Sequence, residues 1–224
     1  MIDWFPLLLT FQLALITTVL LFVISLPLAY WLAYTRVRLK PVIETLVSMP
    51  LVLPPTVLGF YLLVAFSPRG FLGGFLENYL GIRLLFSFEG LVFASVIYSL
   101  PFMVHPLQSG FQRLPDSLWQ ASYTLGKSPW TTLRKVLLPN IRPQILTGLV
   151  LTFAHTIGEF GVVLMIGGNI PDQTKVASIA IYDEVESLNY ALAHTYSLIL
   201  FLLSFVILLS VYLINGGYLK VFNR

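Results

Sequence analysis

Five long apolar segments constrain this chain more than any other feature. They extend over residues 7–34, 42–66, 90–107, 141–166 and 190–214. Each has the roughly 17 to 25 residues that a helix needs to cross the hydrocarbon core of a bilayer. Because backbone groups in lipid must hydrogen-bond within their own segment, each segment is expected to be a helix. The chain is therefore predicted to be an all-α, multi-pass bundle of about five transmembrane helices.

Composition supports this membrane class and argues against several kinds of site. Charged residues make up 10% of the chain and hydrophobic residues 57%, whereas about 25% of a soluble domain is charged. We therefore expect the chain in the plasma or inner membrane of the cell. It has no cysteine and three histidines that lie far apart in the sequence, so we expect no metal site and no cofactor. A membrane enzyme or redox subunit would need clustered ligands and is the less favoured alternative.

The basic residues predict how the bundle is oriented. Ten of the 13 fall on one side of the five spans: Arg36, Arg38, Lys40, Arg113, Lys127, Arg134, Lys135, Arg142, Lys220 and Arg224. Arg69, Arg83 and Lys175 fall on the other side. Cytoplasmic loops carry the excess of Lys and Arg, so the N-terminus is predicted outside and the C-terminus in the cytoplasm. The net charge of +3 then reflects topology, and no nucleic-acid partner is expected.

Two predicted outer segments are longer than simple turns. They cover residues 67–89 and 167–189, and the second contains the acidic cluster Asp183-Glu184-Val185-Glu186. Both have room for a short interfacial helix. Two interpretations of this acidic rim remain open: it contacts a soluble partner, or it consists of ordinary solvated loops.

A polar loop of about residues 109–140 separates the third and fourth segments. Its pattern predicts a helix over residues 117–125 capped by Asp116, whose carboxylate can accept first-turn amides. Gly126 is expected in the left-handed conformation that often ends a helix. Ser128 and Pro129 then suit the N-cap and first position of a second helix. The plain alternative is an amphipathic surface helix without a special role.

The spacing of this loop resembles a motif of a known family. Gln120-Ala121-Ser122, then Gly126, then Val136-x-Leu138-Pro139 is similar to the EAA loop of binding-protein-dependent ABC importer permeases. Gln120 and Ser122 stand where that family has glutamate and alanine. The resemblance implies that the loop inserts into a cleft of an ATP-hydrolysing subunit. The implied coupling residues are Gln120, Ala121, Ser122, Gly126, Leu138 and Pro139.

Further segments narrow the resemblance to one branch of that family. Residues 51–59, 69–71, 158–161 and 169–171 resemble the molybdate-type permease subunit, and the similarity extends from about residue 5 to 215. It implies a type I importer architecture, with residues 1–224 forming a single permease domain. The implied function is ATP-driven import of molybdate by alternating access. Tungstate and sulfate permeases are the close alternatives, and a passive channel is less favoured.

The resemblance also implies a set of partners. These are a second copy of the permease, two cytoplasmic ATP-binding subunits and an extracytoplasmic oxyanion-binding protein, all assembled around the lipid bilayer. The chain has no Gly-rich phosphate loop followed by Lys-Ser or Lys-Thr. ATP is therefore expected on the partner subunits, and the chain itself is not expected to be an enzyme.

The fourth segment carries polar residues at helical spacing. Gly148, Thr152, His155 and Glu159 recur at intervals of four, three and four residues, which places them on one face of a helix. Ionisable groups in a membrane helix normally face protein or water. Two interpretations of this face remain open. In one it is a packing seam, in which Glu159 could bond His155 one turn back, and in the other it lines the translocation path.

Prolines and glycines point to a gate between the second and fourth segments. Pro50, Pro54 and Pro55 should bend or break the second helix, and a static kink is the plain alternative to a moving one. The predicted path or gate residues are Pro54, Pro55, Thr152, His155, Gly158, Glu159 and Gly161. Because an ionised Glu159 would repel a doubly charged anion, we expect it to be a gate or packing residue and not a substrate ligand.

Overall fold

A computed structural model describes residues 2–215, which contain helices and no strand. The all-α prediction is confirmed for this part of the chain. Lys220 and Arg224, two of the ten basic residues assigned to one side, lie outside it. In chain order the helices are α1 Phe5–Tyr34, α2 Lys40–Val52, α3 Pro55–Phe66, α4 Phe71–Leu80, α5 Phe88–Gln112, α6 Asp116–Thr124, α7 Pro129–Asn140, α8 Arg142–Ile157, α9 Gly161–Gly167, α10 Ala177–Glu186 and α11 Tyr190–Asn215.

Three of the described helices are long and apolar enough to cross a membrane unbroken: α1, α5 and α11. Two further candidates are bent pairs. Helices α2 and α3 meet at 114°, and α7 and α8 meet at 74°. By length and composition the described residues therefore supply three spans, or up to five if each bent pair counts as one. The prediction of about five spans agrees with the upper figure.

Helix α5 lies at the centre of the bundle and packs against α1, α2, α8 and α9. Its start is capped by Ser87, whose hydroxyl accepts a hydrogen bond from the amide of Gly90 at 3.1 Å. Buried Met103, Leu107 and Phe111 from α5 pack into the main core cluster with residues of α1 and the α7–α8 region. Burying these apolar side chains between helices, at close packing density, positions α1, α2, α8 and α9 around α5.

The two ends of the bundle carry different connections. At one end, Tyr34 at the end of α1 donates a hydrogen bond to the Phe111 carbonyl at 3.2 Å, and Trp119 of α6 contacts the Tyr34 ring edge-on. At the other end, the Phe86 amide bonds the Ile166 carbonyl at 2.9 Å. The loop with Arg36 and the polar loop after α5 thus share one end, as the charge pattern predicts. Which end faces the cytoplasm stays a prediction.

Both predicted outer segments contain the short helices for which they had room, α4 and α10. The acidic cluster on α10 is partly used internally. Asp183 accepts two hydrogen bonds from the Asn169 side chain, at 3.0 and 3.1 Å, and pairs with Lys175. Glu186, by contrast, is exposed. The rim that could meet a soluble partner is therefore smaller than the sequence pattern indicated.

The fourth predicted segment is not one helix, and this expectation was wrong. Helix α8 ends at Ile157, and residues Gly158, Glu159 and Phe160 separate it from α9. Phe160 has φ −130° and ψ −64°, which is outside the helical region. The Glu159 carbonyl accepts a hydrogen bond from the Ser178 hydroxyl at 2.6 Å. A neighbouring element therefore satisfies the backbone group that the break leaves free.

The predicted break in the second segment is confirmed at Pro54 and Pro55, whereas Pro50 lies inside α2 without ending it. Helix α2 ends at Val52, and Pro55 occupies the first position of α3. Proline is favoured there because the first turn of a helix leaves its amides unpaired anyway. The residue before a proline is pushed out of the helical region, and Leu53 and Pro54 are accordingly extended, with ψ of 135° and 136°.

Candidate functional sites in an exposed elbow and a broken span

Helices α6 and α7 form an elbow, as the sequence predicts. Gly126 has φ +65°, a conformation that costs a residue with a side chain about 1–2 kcal/mol. The next residue, Lys127, donates a hydrogen bond from its amide to the Ser122 carbonyl at 3.1 Å. Ser128 caps α7 by accepting from the Thr131 amide at 3.2 Å. The turn is therefore built from bonds between neighbours in the sequence.

One detail of the elbow differs from the prediction. Asp116 is the first residue of α6 and not its cap. Pro115 takes the cap position, and no side chain caps the helix. Pro115 cannot donate a backbone hydrogen bond and has an extended ψ of 142°, so it starts the helix without help from the carboxylate. Asp116 still lies in the first turn, where a negative charge is favourable.

The two arms of the elbow are joined by a buried hydrogen bond. The hydroxyls of Ser122 on α6 and Thr132 on α7 lie 2.6 Å apart, and both residues are buried. Ser122 is thus the inward member of the Gln120-Ala121-Ser122 group, while Gln120 and Ala121 are exposed. Leu138 and Pro139 lie at the far end of α7 and are half-buried.

The elbow exposes three large apolar side chains among polar ones. Tyr123 is 85% exposed, Leu125 72% and Trp130 70%, with the exposed Lys127 between them in sequence. Three large apolar side chains on one short, firmly built turn form a surface suited to contact with another protein. The elbow therefore combines internal rigidity with an exposed contact surface.

The breaks of the second and fourth segments meet. A Cβ atom at Gly161 would lie 2.9 Å from Pro55 Cβ and 3.3 Å from the Thr56 backbone nitrogen. A Cβ atom at Gly59 would lie 2.9 Å from Met165 Cβ. Helices α3 and α9 therefore approach through glycines, a contact typical of closely packed membrane helices.

A cavity of about 440 Å³ opens beside these breaks. Its walls come from α3, α5, α8 and the residues between α8 and α9: Pro55, Thr56, Tyr98, Ala154, His155, Gly158, Glu159, Phe160 and Gly161. Five of the seven residues predicted for a path or gate thus line one space. Pro54 and Thr152 are not among the wall residues, and Thr152 is fully buried. None of the wall residues is Lys or Arg.

Glu159 is held by a residue that sequence reasoning did not identify. Its side chain is 3% exposed, and Oε2 accepts a hydrogen bond from the Ser95 hydroxyl of α5 at 2.7 Å. The bond between Glu159 and His155 that the packing-seam interpretation allowed is therefore not formed. Glu159 lies beyond the end of α8, so the two side chains are not one helical turn apart. Oε1 is buried without a hydrogen-bond partner among the described residues.

His155 is also held from α5. Its Nδ1 lies 2.9 Å from the Ser99 hydroxyl, and its ring stacks on Phe102 with centroids 3.9 Å apart. Ser95 and Ser99 are one helical turn apart and both fully buried. The sequence feature that could have identified these two serines is the four-residue spacing of their hydroxyls in an apolar span, which places both on one face of the helix. Serines are common in membrane helices, so the spacing alone did not identify them.

The remaining members of the polar face lie deeper against α5. A Cβ atom at Gly148 would lie 3.1 Å from the Met103 sulfur. The Thr152 hydroxyl is buried without a side-chain partner in the described part of the chain. The face is therefore a packing seam along α5, and its last members, His155 and Glu159, also border the cavity. In residues 2–215 no group of three or more His, Asp or Glu side chains is placed to hold a metal ion.

Comparison with known proteins identifies the family. The profile of the family described as "Binding-protein-dependent transport system inner membrane component" matches residues 25–219. A relative from Azotobacter vinelandii, the "Molybdenum transport system permease protein ModB", is 51% identical over 205 residues, which cover 91% of this chain and 90% of that protein. The "Probable sulfate transport system permease protein cysT" of Zygnema circumcarinatum is 35% identical, over 94% of this chain and 72% of its own length.

Solved structures agree on the fold. A chain of a bacterial ABC transporter that imports the acidic polysaccharide alginate superposes with a TM-score of 0.78 at 16% identity, covering 95% of this chain and 78% of that one. A chain of the MetNI methionine ABC transporter gives 0.72 at 19% identity, covering 95% and 94%. At these identities the likeness concerns the fold, which is that of ABC importer permeases.

The family consists of transport components, which agrees with the prediction that the chain is a permease and not itself an enzyme. Its description also places the chain in the inner membrane as a multi-pass protein. The family match covers most of the chain. The chain therefore belongs to the binding-protein-dependent transport system inner membrane components.

Proposed function

We propose that the chain is the permease subunit of an ATP-driven importer that moves molybdate into the cytoplasm. The observation that carries this proposal is the 51% identity, over nine-tenths of both chains, to a molybdenum transport permease. The sulfate relative is 35% identical, so the similarity favours molybdate. Sulfate or tungstate import by the same architecture is the second candidate.

The proposal includes the organisation of the chain in the membrane. Residues 1–224 form one permease domain with an outside N-terminus and a cytoplasmic C-terminus. The support is the charge distribution together with the fold. The loop that carries Arg36 and Arg38 lies at the same end as the elbow, and α4 and α10 belong to segments at the other end. Basic loops favour the cytoplasmic side.

The partners are a second copy of the chain, two ATP-binding subunits and an extracytoplasmic oxyanion-binding protein. The family description names a binding protein as a requirement of transport. The ATPase subunits dock on the elbow, whose coupling residues are Gln120, Ala121, Ser122, Gly126, Leu138 and Pro139; Ser122 is buried and holds the two arms together. The exposed Tyr123, Leu125 and Trp130 add the apolar contact area of a protein interface.

The elbow transmits movement because it is stiff. Its turn is made by Gly126, and its arms are joined by the bond between Ser122 and Thr132. Helix α7 continues into α8 through a 74° bend, and α8 ends at the break, so these two helices connect the elbow to the broken span. ATP binding on the partner subunits would move the elbow, and the bundle would respond by rigid-body alternation.

The cavity between the two breaks is the proposed gate of the translocation path. The proposed path or gate residues are Pro54, Pro55, Thr152, His155, Gly158, Glu159 and Gly161, of which all but Pro54 and Thr152 line the cavity. A path without Lys or Arg in its wall binds an oxyanion weakly, and conduction requires that the ion can leave. Glu159 acts as a gate or packing residue. Its burial and its bond to Ser95 suit that role better than contact with an anion.

Uptake in proteoliposomes tests the proposed function. The chain is reconstituted with its ATPase and its binding protein, and labelled molybdate is competed with tungstate and sulfate. Molybdate uptake that requires ATP and binding protein and that sulfate does not suppress is expected. Omitting the binding protein is the control. Uptake of sulfate in place of molybdate would support the second candidate function, sulfate import. No uptake of any oxyanion by an intact complex would contradict the substrate assignment.

A further inference from the structure

The hydrogen atoms around Ser99 can be assigned by counting. A hydroxyl has one hydrogen to donate. Thr156 donates its hydrogen to the Thr152 carbonyl at 2.9 Å, so in its 3.1 Å contact with Ser99 it must accept. Ser99 therefore spends its hydrogen on Thr156. In the 2.9 Å contact between Ser99 and His155, the donor must then be Nδ1 of the histidine.

The same counting gives a defined orientation at Glu159. Ser95 is fully buried and donates its hydrogen to Oε2 at 2.7 Å. Oε1 has no partner among the described residues. Each serine of α5 thus occupies one polar atom of a cavity-wall side chain. The atoms left over are Oε1 of Glu159 and Nε2 of His155.

We propose that Ser95 and Ser99 are positioning residues of the gate. Ser95 holds the Glu159 carboxyl against α5 with Oε1 buried, and Ser99 fixes the Nδ1–H tautomer of His155, so that the polar atom these two side chains offer to the cavity is the lone pair on Nε2. This atom accepts hydrogen bonds, so an oxyanion finds no donor on it and is not retained. This inference rests on the proposed function, because it gives the cavity a role in oxyanion passage.

A second histidine provides an internal comparison. Ser48 donates its hydrogen to the Glu44 carbonyl at 2.7 Å. In its 3.2 Å contact with Nε2 of His105, it must accept. The counting therefore assigns His105 the Nε2–H tautomer, opposite to His155. One chain thus contains both ring forms, each selected by a serine hydroxyl of a neighbouring helix.

Nitrogen NMR tests the assignment without any transport assay. The full complex is reconstituted in lipid with ¹⁵N-histidine and measured at alkaline pH, where unperturbed histidine is neutral. The three histidines are assigned by single replacements. We expect Nδ1–H at His155 and Nε2–H at His105. Ser99→Ala should change the tautomer signal of His155, whereas the matched variant Ser48→Ala should change only that of His105. An Nε2–H ring at His155, or no response to Ser99→Ala, would overturn the inference.

Uptake tests the role of Ser95. Losing a hydrogen bond to a carboxylate is expected to lower molybdate uptake about tenfold in Ser95→Ala, with ATPase association intact. Thr18→Ala is the control, because this buried hydroxyl bonds only its own helix, at the Ala14 carbonyl. Uptake by Ser95→Ala at the wild-type rate would overturn the role.

Two further outcomes are decisive. If Ser95→Ala fails to assemble, Ser95→Thr decides the question. That variant keeps a hydroxyl donor, so retained uptake supports a positioning role and lost uptake contradicts it. If the unmodified complex imports no molybdate while His155 shows Nδ1–H, then the proposed function fails and the hydrogen-bond assignment stands.

Discussion

The elbow and the broken span are both helices interrupted at a glycine, but different forces make the two interruptions. At the elbow, Gly126 has φ +65° and the bonds that close the turn join residues within ten positions of one another. In the broken span, Gly158 has an ordinary φ of −88°. The contacts there come from distant parts of the chain, Pro55, Ser95 and Ser178.

This difference explains what each region can do. A turn made by its own residues keeps its shape when the surroundings change, which suits an element that docks a partner and transmits force. A break held by three other helices depends on how those helices are arranged. Packed interfaces tend to be bistable and not continuously deformable, which suits a gate. Substitutions at four positions test the distinction, with expected effects that decrease from Gly161 to Ser122.

Gly161→Val should have the largest effect, because it separates the two breaks. Its side chain would meet Pro55 Cβ at 2.9 Å and the Thr56 backbone at 3.3 Å. We expect uptake to be lost and the free energy of unfolding to fall by about 1–3 kcal/mol, as for other overpacked sites. Thermal unfolding and uptake measure this. Gly158→Ala is the matched control for stability, since its Cβ would have no neighbour closer than 3.8 Å. Equal destabilisation by both would contradict the tertiary origin of the break.

Glu159→Lys should abolish uptake, because it buries an unpaired charge where Ser95 now donates to the carboxylate. Glu159→Gln keeps an acceptor for Ser95 and removes the charge. We expect it to transport within about a factor of five of the unmodified chain, a change of the size of one hydrogen bond. Complete loss of uptake with Gln alone would show that the carboxylate itself contacts the substrate.

Gly126→Ala tests the elbow. A side chain at φ +65° costs about 1–2 kcal/mol, and we expect co-purification of the ATPase subunit to weaken by about tenfold. Gly81→Ala is a close control. Gly81 also has φ +65° and, like Gly126, has nothing within 4 Å of an added Cβ, but it follows α4, in one of the two predicted outer segments. Loss of the ATPase subunit in both variants would indicate general destabilisation and not a local elbow.

Ser122→Ala should have the smallest effect. It removes the 2.6 Å bond to Thr132 that joins the two arms, which is worth about 0.5–1.5 kcal/mol. We expect more ATP hydrolysed per molybdate imported, because a looser elbow transmits less movement. The control is Thr124→Ala, an exposed hydroxyl that bonds only the Gln120 carbonyl within α6. The same ratio of ATP hydrolysed to molybdate imported in both variants would show that the arm-to-arm bond does not contribute to coupling.

The same contrast explains how much could be predicted from sequence. The long apolar spans, the break at Pro54-Pro55, the left-handed Gly126 and the Ser128 cap are local properties of the residues that form them. The break after Ile157 and the partners of Glu159 depend on Ser95 and Ser178, which lie 64 and 19 positions away. Helical periodicity assumes an unbroken helix, so it placed Glu159 and His155 on one face and allowed a bond between them that does not form.

Thiol accessibility in the cavity tests most directly whether the broken span is the gate. The chain has no cysteine, so a single one can be introduced at Ala154 in the cavity wall and, as a control, at the exposed Ala191. A negatively charged thiol reagent is applied to the reconstituted complex, with and without nucleotide trapped on the ATPase subunits. We predict that trapping changes the labelling rate of Ala154→Cys several-fold and leaves that of Ala191→Cys unchanged. Identical rates at Ala154→Cys in both states would contradict the assignment of the gate to this cavity.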